Sequence, residues 1–280
     1  VSGLSFSDYT NDHYGELIWG SDLASGVSVR DRYYLSISDK SDISIFSKAI
    51  FNISDVFQAY IDLQTRFVNY STTGLTSDIN TIDIDENFTF FNPKVGLTYN
   101  LNSLNSLYFS FSRANREPNR NDYESNPNDV RHEELNDFEF GWRHENQKLR
   151  LNANLYFMQY KNQLVLTGAL DNVGEYLREN VEKSYRLGLE LDLNLILSDQ
   201  FSINSNLAIS KNKVQDLTIN RDGESRNLGD TNIAFSPSVI TTNSIQFNPN
   251  DNLRVSLIGK FVGDQYMSNT DTEASKLDDY

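Results

Sequence analysis

The sequence predicts an all-β fold: an antiparallel, up-and-down transmembrane β-barrel, present as a partial wall of about ten strands from a larger barrel. Three observations lead there. Apolar residues recur at every second position over long segments. Short polar turns alternate with long polar connections. The 280 residues are 12% aromatic, yet mean hydropathy is −0.51. A chain rich in both rings and polar groups arises when each strand has one apolar and one polar face.

The elements follow from period 2, which no helix can show. Phe57, Ala59, Ile61 and Leu63 alternate with Gln58, Tyr60, Asp62 and Gln64. Shorter copies are Leu107, Phe109, Phe111 and Phe138, Phe140, Trp142. Leu149, Leu151, Ala153, Leu155 and Phe157 alternate with Arg150, Asn152, Asn154 and Tyr156. From Tyr185 to Leu197 every second residue is apolar, with Arg186, Glu190 and Asp192 among those between. Phe201, Ile203, Leu207 and Ile209 continue the pattern with Ser205 interrupting, and Leu253, Val255 and Leu257 close it.

Tight turns rich in Asn, Asp and Ser are expected at Asn52–Asp55, Asn100–Asn105, His144–Gln147, Ser198–Gln200 and Asn248–Asp251. Long loops are expected over 71–87, 115–133, 167–179, 215–232 and from about 265 onward. Hairpin strands run up and down, so all short turns fall at one end and all long loops at the other, as in outer-membrane barrels. The five prolines (Pro93, Pro118, Pro127, Pro237, Pro249) are expected in loops or at strand ends. A soluble β-sandwich also alternates, but its strands average about five or six residues.

Net charge of −15 makes nucleic acid a poor partner, because its phosphates would be repelled. Cysteine is absent, which removes disulfides and thiol chemistry. No apolar run approaches the roughly 18 residues of a spanning helix. Val1 follows no charged or apolar leader, and the polar stretch Thr270–Asp279 does not read as a closing strand. Residues 1–280 are therefore expected to be part of one barrel domain, with further segments outside them.

Four segments carry a family resemblance: His13-Tyr14-Gly15-Glu16-Leu17-Ile18-Trp19, Asp62-Leu63-Gln64-Thr65-Arg66, Ser112–Tyr123 (SRANREPNRNDY) and Asn180–Arg186 running into Gly188 and Glu190. Together they resemble TonB-dependent outer-membrane receptors. The resemblance implies a 22-stranded barrel around an N-terminal plug that is not in this chain. It implies outer-membrane lipid as surroundings and TonB as a partner reached through the plug. It also implies energy-coupled uptake of a scarce small-molecule nutrient, such as a metal chelate; ferric siderophores are the most familiar cargo, with cobalamin, sugars and peptides as others. A non-transporting surface adhesin and a passive porin are the competing readings.

No enzyme, cofactor or catalytic metal follows from the sequence. His13, His132 and His144 are expected in a loop, a loop and a turn, and His132 beside Glu133 and Glu134 lacks a nucleophile. Asp83, Asp85 and Glu86, and Asp216, Asp222 and Glu224, are expected in acidic loops that suit calcium chemically but lack the spacing of a calcium loop. Arg113, Arg116, Arg120, Tyr123 and Arg131 are the candidate ligand-binding residues, an outer vestibule whose guanidinium forks match carboxylates. The plainer reading pairs these arginines with Glu117, Asp122, Glu124 and Asp129 of the same loop. Arg186, Glu190 and Asp192 are expected to face a polar lumen.

Overall fold

A computed structural model describes residues 1–125, 130–170, 174, 176–221 and 224–280. The strands are β1 (Ser2–Glu16), β2 (Arg32–Asn52), β3 (Phe57–Leu75), β4 (Thr81–Asn102), β5 (Asn105–Arg116), β6 (Glu133–Glu145), β7 (Leu149–Leu170) and β8 (Tyr176–Ile196). They continue with β9 (Phe201–Arg221), β10 (Glu224–Asn232), β11 (Val239–Asn250) and β12 (Leu253–Val262). One short helix, α1 (Arg120–Ser125), lies between β5 and β6. These strands form one 12-stranded sheet in chain order, every neighbouring pair antiparallel, with β10 and β11 both pairing with β9. Twelve strands replace the expected ten or so: β1, which pairs with β2 across the 17–31 connection, and β10, which pairs with β9 within the expected 215–232 loop, are the additions.

Register carries the two-faced pattern across the sheet. Ala59, Leu97, Phe109, Phe140, Leu155, Leu189 and Ile209 sit opposite one another in a continuous apolar row. The row one residue away is Thr98, Tyr108, Gly141, Asn154, Glu190 and Ala208, on the polar face. The apolar side chains are not covered by protein: Phe140 and Leu155 are each 49% exposed. A soluble sheet would bury such a face. At its turn end it carries rings, with Phe57 stacked on Tyr99 (4.5 Å), Phe201 on Phe247 (4.4 Å), and Trp142 beside them. Aromatic girdles of this kind mark the membrane interface of barrels.

The five short turns fall where the sequence places them, each closed by its own side chain. Asn146 Oδ1 accepts the Lys148 and Leu149 N–H groups at 2.8 Å. Asn102 Oδ1 accepts Leu104 N–H (2.9 Å), Asn250 Oδ1 accepts Asn252 N–H (3.0 Å), and Ser54 and Ser198 serve their turns through Oγ.

The opposite end differs from expectation. Strands β4 and β7 run 22 residues each, about twice a membrane crossing, so they continue well past the apolar band. The expected loop 71–87 shrinks to a connection over 76–80, and 167–179 is mostly strand from β7 and β8. Asp83, Asp85 and Glu86 are therefore in β4, where alternation puts Glu86 on the face opposite to both aspartates. Asp216 and Glu224 are in β9 and β10, and Asp222 lies outside the described residues. His13 and His144 are in β1 and β6 rather than in a loop and a turn. Pro93 and Pro249 lie within β4 and β11, while Pro127 lies outside the described residues. Pro93 fits inside a strand because the β4–β5 ladder ends beside it, at Lys94–Ser112. The segment after β12 is folded, with β13 (Gln265–Tyr266), one 3-10 turn (Glu273–Ser275) and β14 (Lys276–Leu277).

Candidate functional site

The connection from β5 to β6 does not extend away from the sheet; it folds onto the polar face. Glu117, 9% exposed, is held by two cations of that face. Lys40 Nζ in β2 donates to its Oε1 at 2.7 Å. Arg66 in β3 donates from Nη1 to Oε2 (3.2 Å) and from Nη2 to Oε1 (3.1 Å), a bidentate pair. The same guanidinium binds Asp42 of β2 from Nη2 (2.5 Å) and Nε (3.2 Å). Burial alone would raise the Glu117 carboxyl, but the hydrogen bonds from Lys40, its own backbone and Arg66 outweigh it and hold the pKa at about 2.

Helix α1 follows, with a reciprocal cap. Asn119 N–H donates to Asp122 Oδ2 (2.9 Å), and Asp122 N–H donates back to Asn119 Oδ1 (3.0 Å). Asp122 is fully buried and lies 3.9 Å from Arg178 of β8. Tyr123, also buried, stacks on Tyr70 of β3 with ring centres 6.0 Å apart. Burial, then Glu86, pushes its hydroxyl pKa upward. One helix of about 9 Å thus touches β3 and β8, which are five steps apart in the sheet order. Five steps span about 24 Å of flat sheet, so the sheet curves strongly with its polar face on the concave side.

The five residues expected to line an outer vestibule are divided by the structure. Arg120 pairs with Glu124 (2.7 Å), as the plainer reading has it. Arg116 instead pairs with Glu133 (2.5 Å) and Arg113 with Glu134 (3.4 Å), both on β6. Arg113 is in register with Phe109 and Phe111 and stands on the apolar side of the sheet, away from the others. Arg131 is fixed through its backbone, its N–H donating to Asn180 Oδ1 at 2.8 Å and its carbonyl accepting from Asn180 Nδ2 at 3.0 Å. Glu117 and Asp122 turn to β2, β3 and β8 rather than to the loop arginines, and Asp129 lies outside the described residues. Arg186, Glu190 and Asp192 all occupy polar-face positions, and Arg186 Nη1 donates to Ser236 Oγ (3.1 Å). His132, the histidine with adjacent glutamates, packs on Phe90 and Phe88, while both glutamates are engaged by arginine.

Sequence reasoning missed Lys40 and Asp42, and held Arg66 only as the end of the Asp62–Arg66 segment, with no role in a site; their ion pairing depends on where the β5–β6 connection goes.

Comparison with known proteins agrees with this architecture. The family model described as TonB dependent receptor-like, beta-barrel, matches residues 2–280. None of the curated proteins matches the sequence. Among solved structures, the siderophore receptor PiuA from Acinetobacter baumannii superposes with a TM-score of 0.73 at 16% identity, over 100% of this chain and 45% of its own. The ferric-catecholate import receptor Fiu from E. coli K12 gives 0.71 at 14%, over 100% and 44%. The ferric yersiniabactin uptake receptor FyuA from Yersinia pestis gives 0.69 at 14%, over 89% and 38%. The chain thus spans less than half the length of these structures. A family match over essentially every residue, on a wall with one lipid-compatible and one polar concave face, places this chain in the TonB-dependent receptor β-barrel family of the Gram-negative outer membrane.

Proposed function

We propose that this chain forms barrel wall and outer connections of a receptor that takes up a scarce nutrient across the outer membrane, with a ferric siderophore as cargo. Energy coupling through TonB, by way of a plug seated against the polar face, belongs to the same proposal. The observation that carries it is the ion-paired β5–β6 connection, folded across the concave face and anchored on Glu117, Asp122 and Tyr123. A passive pore gains from an open interior, whereas a receptor needs ordered groups across its mouth. In this reading Arg116, half-exposed at the end of β5, and Arg120, largely covered and paired with Glu124, supply the cations for an anionic chelate, and Tyr123 serves as the connection's buried anchor. Arg131 flanks them, and Arg186, Glu190 and Asp192 line the interior below. Arg113, on the other face with Phe109 and Phe111, is left out of this proposal.

The test is uptake of radiolabelled ferric chelates by cells whose only iron-chelate receptor is the complete gene product. Uptake abolished by loss of TonB, and reduced by Arg116→Gln with Arg120→Gln, supports the proposal. Uptake indifferent to TonB would contradict it.

A further inference from the structure

The outer end of the β7–β8 hairpin is gripped from both sides. From one side comes the β5–β6 connection. Asp122 of α1 lies 3.9 Å from Arg178, Arg131 exchanges its N–H and carbonyl hydrogen bonds with the Asn180 side chain, and Glu133 Oε1 accepts Leu164 N–H at 2.6 Å. From the other side comes the segment after β12. Its Asn269, only 3% exposed, donates from Nδ2 to the Leu166 carbonyl at 2.5 Å and accepts Ala234 N–H through Oδ1 at 2.8 Å. Asp271 accepts the Asn232 N–H (2.8 Å) and Nδ2 (3.0 Å) beside it. Among the described residues no hydrogen bond or ion pair joins this segment to α1 itself.

The two grips meet on one cross-strand pair. Leu166 and Arg178 face each other across β7 and β8, and they are the last regular pair before the register shifts toward Leu170. A hairpin opens from its tip, so whatever holds its last regular pair steadies the tip as a whole. Val165, between the gripped residues Leu164 and Leu166, packs in an apolar cluster with Val181, Val214, Leu217 and Ile233. Ile233 in turn stands between Asn232 and Ala234, the two residues that Asp271 and Asn269 hold. Packed side chains and hydrogen bonds therefore run without a gap from Asn269 through the hairpin to Asp122. The last link is a loose one. Asp122 Oδ1 is buried and accepts no hydrogen bond among the described residues, so its distance to Arg178 follows the position of the β8 tip.

We infer that Asn269 is a positioning residue for α1: it fixes the β7–β8 tip at Leu166, and the tip, through Arg178, fixes Asp122 and the helix that carries it. Such a coupling is reciprocal, so the contact of Asp122 with Arg178 likewise steadies Asn269 and the segment around it. The two outer connections order or loosen together, although they approach the hairpin from opposite sides. The inference concerns the wall alone and stands whichever cargo the receptor takes up.

The test is hydrogen exchange of the complete receptor in detergent, read by mass spectrometry in two peptides, 117–124 and 265–277. Asn269→Asp keeps the acceptor for Ala234 N–H but loses the donor to the Leu166 carbonyl. It should speed exchange in 117–124 about fivefold, at residues it does not touch. In the reverse direction, Asp122→Asn should speed exchange in 265–277 by a similar factor. The double variant should add little to either peptide, because both changes cut the same route. Arg30→Gln, whose pair with Glu16 lies on the β1–β2 connection, should change neither peptide. Faster exchange confined to 265–277 in Asn269→Asp, or confined to 117–124 in Asp122→Asn, would overturn the inference. If the buried Asn269 tolerates no change, Arg178→Gln, on a side chain already 36% exposed, tests the same route. Both peptides should then loosen, and loosening of 117–124 alone would overturn it.

Discussion

Glu117 shows how a single side chain can decide the path of a connection. It accepts from Lys40 and Arg66, and removing it would leave two cations on the concave face without their shared acceptor. Breaking a fully buried pair costs about 3–5 kcal/mol; here Lys40 and Arg66 are only partly buried and Arg66 keeps Asp42, so the cost lies below that range. Glu117→Gln is therefore expected to free the β5–β6 connection, read as lost hydrogen-exchange protection of the 117–124 amides. The pH dependence has a fixed sign. The folded pKa of about 2 lies below the ordinary 4.5, so the stabilisation is complete above 4.5 and fades as pH falls toward 2. Protection in the wild-type protein should fall across that window, corrected for intrinsic exchange, and in Glu117→Gln it should be low and flat. Gly141 is a second such position. A Cβ built there would overlap the ring of Tyr108 directly across from it on the polar face. Gly141→Val should cost about 1–3 kcal/mol, and Tyr108→Ala should relieve part of that cost in the double variant. At this scale little was legible in advance. The arginines of 113–131 were recognisable as a charged cluster, but register with β6 decides that Arg113 and Arg116 meet Glu134 and Glu133.

Among the elements, the alternation that was plain in the sequence is the alternation that packs. Tyr185 to Ile196 reads as strand because one face meets lipid and the other does not; the membrane imposes the period. Beyond the apolar band the two-faced rule lapses: Asp83–Asn87 is largely exposed on both faces, and in 215–221 the left-handed Asp216 breaks the period just before the buried Leu217, so both read as loops although they are strand. The turns were legible because each closes on a local side chain, as Asn146 does for Lys148 and Leu149. The same asymmetry between faces gives a prediction. Leu189→Arg, on the apolar row, should lower stability by about 2–4 kcal/mol in lipid vesicles. Glu190→Gln, one residue away on the polar face, should change it by no more than about 0.5 kcal/mol. Urea unfolding of the complete receptor measures both, and equal costs would mean that the two faces do not see different solvents.

For the molecule as a whole, β1 and β12 are the edges of the sheet, and a curved wall with free edges exposes backbone donors and acceptors that hydrocarbon cannot satisfy. Residues 1–280 expressed alone are therefore expected to aggregate in detergent-free buffer; a monodisperse monomer with a cooperative melt, seen by light scattering and calorimetry, would contradict the lipid-facing assignment. The central claim, that the exposed apolar face belongs in an outer membrane, is tested most directly on the complete gene product expressed with its own leader. Its outer-membrane fraction is run on a gel with and without boiling. A band in that fraction whose mobility shifts on heating is the predicted result. A product found in the soluble fraction, with no mobility shift, would contradict it.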